Sequence, residues 1–373
     1  MPMSKLDRFI AAVKLKVPDM VPVSPLIHDR FAYKMLKRIG WEAAFELHQQ
    51  IGSIHFRGPL GVGVVSHLPE GYEYRQEVVE TDGVRHVIED TLVTPEGTIR
   101  GKVVRGFNPR DPTISTRIEP LVKKREDWMI FKSYYEEWVD SAEGPEYREM
   151  ERAARIMGDE GVPSTGLSCI FAHLGEARTM GKILVDIHRW PDTILDVCKT
   201  MQKVVDKYVE SFLASPSPIL YYDICWATGA DLSTSLFDIF VKPDISRVAE
   251  LVKEGKDKYF GFYTLGRIRR HLPTMVSTGA HFIETFEQNQ GDITLREAKE
   301  KYGNKICLMG NFDSVILAFG SVHDSEREAL RCLNEGMEGG GYVMVTGDEV
   351  PVDAKIENLH AMVQTVEKYG KYR

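Results

Sequence analysis

The amino-acid sequence predicts an α/β fold, specifically a (β/α)8 TIM barrel that carries a small antiparallel β insertion. Short apolar segments alternate with helical patterns along most of the 373 residues, which indicates a parallel sheet covered by helices on both faces. Seven strand–helix units are recognisable and an eighth is expected near residues 54–61, a number that fits a closed barrel better than an open sheet. Between about residues 61 and 120 the pattern changes to that of antiparallel strands. We therefore expect one barrel domain over residues 1–373 with an insertion at about 61–120.

The first elements are a helix, a strand and a second helix. Residues 4–20 place apolar side chains at helical spacing, and Pro18 with Asp19 ends this pattern. The segment MVPVSPLI then predicts a buried strand, and residues 31–50 predict a helix.

The insertion is predicted from the stretch YEYRQEVVETDGVRHVIEDTLVTPEGTIRGKVVRG. Polar and apolar residues alternate in it around TDGV and PEGT. The Asp-Gly and Glu-Gly pairs are typical of β-hairpin turns, so a small antiparallel sheet is expected between elements of the parallel sheet.

After Trp128, helices and short apolar strands alternate to the end of the chain. The clearest helix covers residues 191–213, because it has one apolar stripe and Pro191 in its first turn. The strand KYFGFYTL is expected to lead into a helix that begins at Arg267. The predicted strands of this part are, in order, LSCIFAHL, ILYYDICW, KYFGFYTL, HFIETFE, ICLMGNFD and GYVMVTGD.

Composition excludes several classes of function. The net charge of −8 argues against a nucleic-acid-binding surface, and no apolar run reaches the roughly 18 residues of a membrane span. The N-terminal segment lacks the apolar core of a signal peptide. Five cysteines without a CxxC pair are typical of reduced thiols, so a cytoplasmic protein is expected.

Polar and aromatic side chains lie at the predicted ends of the strands, where barrel enzymes hold their active sites. Acidic groups come from several strands, and carboxylates crowded in a mouth poor in water shift one another's pKa values, as general acids, general bases and metal ligands do. Glycine loops for phosphate, a G-x-S-x-G elbow and HExxH are absent from the sequence. The candidate catalytic residues are Asp223, Tyr263, Glu287 and Asp348, and the candidate substrate-binding residues are His28, Phe171, His173, Trp226 and Asn311.

Four segments carry a resemblance to a known superfamily. They are KLDRFIAAVKLKVPDMVPVSP, YYDICWATGADLSTSLFDIFVKPDISRV, GDITLREAKEKYGNKICLMGNFDS and GGGYVMVTGDEVPVDAKIENLHAMVQTVEKYG. They resemble the uroporphyrinogen decarboxylase superfamily, and the similarity extends over nearly the whole chain. The resemblance implies a (β/α)8 barrel, in agreement with the pattern.

The superfamily contains two chemistries. True uroporphyrinogen decarboxylases begin with an arginine-rich signature at the first strand that binds the carboxylates of the substrate. This chain has SPLIHDRFAYK there, with Arg30 alone. A tetrapyrrole with eight carboxylates needs more cationic contacts, which argues against the decarboxylase proper.

The other branch consists of corrinoid-linked methyltransferases. Its thiol-methylating members bind zinc through a His-x-Cys pair and a cysteine on the last strand. The corresponding positions resemble Tyr263-Thr264-Leu265 and Asp348 here, so the thiol-type zinc ligands are absent. A phenol and a carboxylate do not rebuild such a soft site.

The resemblance and the residues together favour the substrate-side methyltransferase of an O-demethylase system. A methyl group would pass from a methoxylated compound, aromatic ones included, to cob(I)alamin on a separate corrinoid protein. Asp223, Glu287 and Asp348 would protonate the leaving oxygen or hold a hard metal. The chain shows no Asp-x-His-x-x-Gly corrinoid motif, so the carrier is expected to be a partner that docks over the barrel mouth. A homodimer is also compatible with the resemblance.

Two alternatives remain open at this point. One is a lyase, similar to a decarboxylase, that acts on a small carboxylate without a corrinoid partner. The other is a non-catalytic barrel subunit that has lost its metal.

Overall fold

Strands and helices alternate along the chain in the computed structural model, which describes residues 2–108 and 110–372. The β-strands are β1 Pro59–Leu60, β2 Gly63–Ser66, β3 Glu73–Thr81, β4 Arg85–Thr94, β5 Gly97–Asn108, β6 Asp111–Glu119, β7 Ala142–Glu146, β8 Ser164–Ser168, β9 Ile219–Asp223, β10 Tyr259–Tyr263, β11 Phe282–Glu284, β12 Cys307–Met309 and β13 Tyr342–Val343. The α-helices are α1 Lys5–Val13, α2 Asp29–Leu36, α3 Trp41–Ile51, α4 Asp127–Asp140, α5 Arg148–Met157, α6 Ile170–Arg178, α7 Met180–Arg189, α8 Pro191–Ala214, α9 Thr234–Phe240, α10 Lys242–Val252, α11 Leu272–Ser277, α12 Leu295–Tyr302, α13 Ser314–Phe319, α14 Val322–Gly336 and α15 Ile356–Tyr369.

A closed parallel barrel lies at the centre of the fold. Strands β1 and β8 to β13 form one sheet in the order β1-β8-β9-β10-β11-β12-β13. The extended segment around Val23 closes this sheet, because Val23 bridges in parallel to Met344 and its carbonyl oxygen accepts a 2.9 Å hydrogen bond from the Ile54 amide. His55 in turn bridges to Gly161. With residues 21–24 and 54–60 as the first and second strands, eight parallel segments surround the axis, which confirms the predicted (β/α)8 barrel.

Aromatic side chains fill the barrel interior. Phe56, Tyr221 and Phe282 belong to one buried cluster there, and each buried ring of this size contributes roughly 2 to 3 kcal/mol to stability. Glycine makes room for them at Gly261, where a Cβ atom would lie 2.3 Å from the Phe282 ring. The same holds at Gly166, where a Cβ atom would lie 2.4 Å from Tyr221. These glycines are required by close approach within the barrel.

The insertion contains the predicted antiparallel sheet. Strands β3 to β6 pair in sequence order, and the turns fall at Gly83 (φ +87°) and Gly97 (φ +150°), in the two Gly-containing pairs that predicted hairpins. A second small sheet pairs β2 with β7. The inserted region therefore extends beyond residue 120, because α4 and β7 (Ala142–Glu146) lie between the sheet and the next barrel strand.

Several element boundaries differ from the sequence prediction. Residues 31–50 form two helices, because the chain turns through Lys37 (φ 56°) and Gly40 (φ 94°). The helix expected from Arg267 begins at Leu272, and the loop before it is held by Asp292, whose Oδ1 accepts hydrogen bonds from the amides of residues 268 and 269. The first helix is the shorter α1 rather than residues 4–20.

The prediction of a strand over LSCIFAHL is wrong for most of this segment. Strand β8 ends at Ser168, and α6 begins at Ile170. Helix α6 is buried over most of its surface, so its sequence lacks the polar stripe that marks an amphipathic helix. As a consequence Phe171 and His173 lie on a helix and not at the end of a strand.

No helix within residues 2–108 and 110–372 is long and apolar enough to cross a membrane.

Candidate active site

The ends of the parallel strands align several polar side chains in one row. The register pairs Asp223 with both Ser168 and Tyr263, and it pairs Tyr263 with Glu284. These residues therefore lie side by side at the carboxyl-terminal edge of the barrel, which we call the barrel mouth. The row includes two of the four predicted catalytic residues.

Arg57 is the principal site residue that the sequence analysis missed. Its guanidinium makes a bidentate ion pair with Glu284, with Nε–Oε1 at 3.1 Å and Nη2–Oε2 at 2.6 Å. The rings of Tyr221 and Tyr263 lie 4.4 and 4.1 Å from the same guanidinium carbon. The side chains of the pair are 7% and 0% exposed. A charged residue directly after the buried segment SIHF was the signal that could have revealed Arg57.

Tyr263 provides a protonated phenol in the mouth. Its ring packs on Arg57, and its carbonyl oxygen accepts a 3.1 Å hydrogen bond from the Ile224 amide. Burial raises the pKa of Tyr263 well above its usual value, although Arg57 opposes the rise. The phenol is therefore protonated near neutral pH, which leaves its hydroxyl able to donate a hydrogen bond and unable to act as a base.

Asp223 lies half-buried beside Tyr263. Its Oδ1 accepts a 2.8 Å hydrogen bond from the Cys225 amide, and its carbonyl oxygen accepts one from Cys169 at 2.9 Å. Burial, and then the charge of Asp223, raises the pKa of the Cys225 thiol, so this thiol stays protonated.

Glu287 and Asp348 are two neighbouring acidic residues at the mouth. The Glu287 Oε1 accepts a 2.9 Å hydrogen bond from the Gly266 amide, and burial together with the nearby Asp348 charge raises the pKa of Glu287. Burial also raises the pKa of Asp348. Gly347 permits the close approach, because a Cβ atom there would lie 3.0 Å from the Glu287 Cα.

His28 and Arg30 complete the rim next to this pair. Burial and the positive charge of Arg57 lower the pKa of His28 to about 4, so its imidazole is neutral near pH 7. Arg30 is ion-paired with Asp111 of the insertion at 3.1 Å and with Glu349 at 3.5 Å. Arg30 therefore links the insertion to the mouth and is not a free anion-binding group.

Two of the predicted substrate-binding residues are inaccessible in the structure. Phe171, on α6, is 1% exposed and packs in the main hydrophobic core. Asn311 is fully buried, and its Oδ1 accepts a 3.1 Å hydrogen bond from Arg331. Neither side chain reaches the surface of the mouth.

His173 and Trp226 lie closer to solvent. His173 is partly buried on α6, and burial lowers its pKa while the nearby Glu176 and Asp223 oppose this. Trp226 is 40% exposed in the loop after β9. Of the five predicted substrate-binding residues, the structure therefore leaves His28, His173 and Trp226 within reach of the mouth.

Within the described residues, no group of three or more His, Cys, Asp and Glu side chains is arranged to hold a metal ion. What the mouth does contain is a pair of carboxyl groups with raised pKa values next to a protonated phenol. Such an arrangement can donate a proton to an oxygen atom of a bound molecule.

The sequence of the chain matches a known protein family. Residues 147–369, more than half of the chain, match the sequence profile described as uroporphyrinogen decarboxylase (URO-D). The uroporphyrinogen decarboxylase of Xanthomonas oryzae pv. oryzae (strain PXO99A) is 22% identical over 231 residues, which cover 60% of this chain and 63% of that protein. That of Neisseria meningitidis serogroup C (strain FAM18) is 23% identical over 225 residues, 58% of this chain and 59% of that protein. The chain thus spans less than two thirds of the length of these relatives.

A solved structure extends the similarity to the whole fold. A methyltransferase from Methanosarcina mazei superposes with a TM-score of 0.65 and 13% sequence identity, and the match covers 99% of each chain. At this identity the comparison shows a shared fold.

Proposed function

Because the chain belongs to the uroporphyrinogen decarboxylase family, we propose that it is an enzyme of the methyltransferase branch. It transfers a methyl group from a methoxylated compound, aromatic ones included, to cob(I)alamin on a separate corrinoid protein. The observation that carries the proposal is the pair Glu287 and Asp348, two carboxyl groups of raised pKa at the barrel mouth. The fold shared with a methyltransferase supports it.

Demethylation of an ether needs a proton, because an alkoxide or phenoxide leaves poorly. The bond between the methyl carbon and the ether oxygen breaks, and its electron pair stays on the oxygen. Glu287 is the proposed proton donor to that oxygen, since burial and then the negative charge of Asp348 raise the pKa of its carboxyl group. The corrinoid partner supplies the nucleophile that accepts the methyl group. Glu287 is only partly buried, so solvent can return its proton after each turnover.

The remaining side chains of the mouth position the substrate. Tyr263 donates a hydrogen bond to the ether oxygen, and Arg57 holds the phenol ring in place. Asp223 is fixed by the Cys225 amide. It lies beside Tyr263 of the neighbouring strand β10 and helps to orient that phenol. The exposed face of Trp226 contacts the apolar part of the substrate.

Zinc activation of a thiol does not fit the residues present. The positions Tyr263, Leu265 and Asp348 offer no thiolate or imidazole. We derive no step through zinc. A uroporphyrinogen decarboxylase needs arginines that bind the carboxylates of its substrate. Arg57 and Arg30 are not free for this purpose, since both are ion-paired within the chain.

The test mixes the purified protein with chemically reduced cob(I)alamin and a panel of methoxylated compounds, and follows methylcobalamin by its visible spectrum. We expect methylation from one class of donor. Glu287→Gln should reduce the rate about 100-fold or more, because an amide cannot donate the required proton. Glu300→Gln, on the exposed face of α12, is the matched control and should keep the wild-type rate.

Absence of methyl transfer across the whole panel, both with free cob(I)alamin and with a corrinoid carrier protein, would contradict the proposal. Release of CO2 from a small carboxylate without any corrinoid would instead establish the lyase. Activity of neither kind, in a protein that folds normally, would leave the non-catalytic subunit.

A further inference from the structure

A cleft of about 510 Å³ separates the inserted sheet from the rim of the barrel. Its barrel wall is formed by α6, the start of α7 and Trp226, and its opposite wall by β3 to β6. The volume lies within the range of about 300 to 1,000 Å³ that is usual for sites of small organic ligands. Trp226 follows Asp223 by three residues in the same loop, so the cleft lies next to the candidate active site.

The barrel wall of the cleft is suited to a flat aromatic molecule. Trp226 packs against Gly175, where a Cβ atom would lie 3.1 Å from the indole and 3.3 Å from the sulfur of Met180. The indole is 40% exposed, and it and the Met180 side chain both line the cleft. Indole rings and thioether sulfur both interact favourably with aromatic rings.

The sheet wall offers hydrogen-bond donors. The buried carboxylate of Asp90 accepts hydrogen bonds from Tyr74 Oη at 3.1 Å, Gln76 Nε2 at 2.7 Å and Arg117 Nη2 at 2.9 Å. Its negative charge is therefore compensated by the wall itself. Arg117 Nη1 is buried without a hydrogen-bond partner, and the exposed guanidinium of Arg105 lines the same wall.

The distribution of charge selects an orientation. Glu176, on the barrel wall, repels an anion from that side, whereas Arg105 attracts it to the sheet. An aromatic molecule with one carboxylate would therefore place its ring on Trp226 and its carboxylate towards Arg105. Charge-assisted hydrogen bonds of this kind are stronger than neutral ones.

We infer that this cleft is a substrate subsite that binds the ring and the carboxylate of a methoxylated aromatic acid, and that the inserted sheet thereby sets substrate specificity. The inference rests on the proposed function, since the bound ring would present its methoxy group to the mouth. The insertion is then a specificity element as well as a cover.

Calorimetric titration tests the site without any corrinoid. The protein is titrated with 4-methoxybenzoate and with methoxybenzene, which lacks the carboxylate. Arg105→Ala should weaken the binding of 4-methoxybenzoate about tenfold and leave methoxybenzene unchanged. Gly175→Ala should weaken both, because the added methyl group would lie 3.1 Å from the indole and would shift the ring surface on which the ligand stacks by a few tenths of an ångström. Arg100→Ala is the control, since Arg100 is an exposed arginine on the opposite face of β5.

The outcomes separate this inference from the proposed function. Absence of binding by the wild type would overturn the subsite. Binding of 4-methoxybenzoate to Arg105→Ala and Gly175→Ala with the wild-type affinity would also overturn it. Arg105→Ala is a surface change that should not affect folding, and the thermal midpoint of Gly175→Ala shows whether that variant folds. Binding with the expected pattern but no methyl transfer would leave the subsite standing and refute the methyltransferase. Methyl transfer with an unchanged KM in both variants would support the methyltransferase and refute the subsite.

Discussion

At the scale of single residues, the geometry of the mouth depends on Arg57. Its guanidinium contacts Tyr221 and Tyr263 through its faces and Glu284 through its edge, so one side chain fixes groups from three strands. A buried bidentate pair of this kind is weak evidence of net stabilisation, yet loss of one partner leaves an uncompensated charge. The two partners are therefore needed together.

Arg57→Ala should lower the free energy of unfolding by about 3 to 5 kcal/mol, because the buried Glu284 carboxyl group would lose its charge partner and both of its hydrogen bonds from Arg57. The double variant Arg57→Ala with Glu284→Ala should lose less than the sum of the single losses. Urea unfolding of the four proteins measures this coupling. Lys14→Ala removes an exposed ion pair with Asp257 and should change stability by less than about 1 kcal/mol. Additive losses in the double variant would contradict the coupling.

Residue-level prediction from the sequence succeeded where a strand end was clear. Asp223 and Tyr263 follow continuous apolar runs, so the strand-end rule placed each of them at the end of its strand, and the structure shows that they lie beside each other. Arg57 escaped because its strand, SIHF, is short and contains a serine and a histidine, which hid the strand and hence its end. Asn311 follows a clear strand, but its side chain turns towards Arg331, a choice made by tertiary contacts.

At the scale of elements, periodicity decided what could be predicted. Helix α8, expected at 191–213, is observed at Pro191–Ala214, because a single apolar stripe and a proline at its start define it. The sequence of α6 instead predicts a strand, because Ile170, Phe171 and Leu174 are buried on several sides of the helix and leave no polar stripe. A short helix surrounded by protein has the apolar pattern of a buried strand.

The start of α6 is held by Asp244 of α10, which gives an element-scale prediction. The Asp244 carboxyl accepts hydrogen bonds from the Ile170 amide at 2.9 Å and from Tyr222 Oη at 2.7 Å. Burial raises the pKa of Asp244 to about 7, and the charge of Asp206 adds to the rise. The folded protein thus holds the proton more tightly than the unfolded chain, whose carboxyl has a pKa near 3.8.

The resulting stability is present in full below about pH 4 and is lost as the pH rises through about 7. Asp244→Asn should remove this dependence, since an amide can accept from Ile170 and donate to Tyr222 without a charge. The difference in unfolding free energy between the variant and the wild type should shift by roughly 1 to 4 kcal/mol between pH 4 and pH 8, in favour of the variant. Urea unfolding at the two pH values measures it. Parallel pH profiles for the two proteins would show that Asp244 does not titrate in this range.

At the scale of the whole molecule, the insertion and the barrel meet through charges at the mouth. Arg30, in the first turn of α2, pairs with Asp111 at the start of β6 and with Glu349 after the last strand. Arg110 pairs with Asp353 in the loop before α15. Both contacts hold the same turn between β5 and β6, so the position of the inserted sheet over the mouth depends on them.

The double variant Arg30→Ala with Arg110→Ala should therefore loosen the inserted sheet without unfolding the barrel. Hydrogen–deuterium exchange should become several-fold faster in residues 97–119 and stay unchanged in β9 and β10, because the lost ion pairs are partly exposed and contribute only about 1 kcal/mol each at most. Raising the salt concentration should accelerate exchange of the wild-type insertion in the same direction, since screening weakens the same contacts. Arg327→Ala, which removes an exposed ion pair on α14, is the control. Unchanged exchange in residues 97–119 would contradict this prediction. It would mean that the packing of α4, and not these charges, fixes the inserted sheet over the mouth.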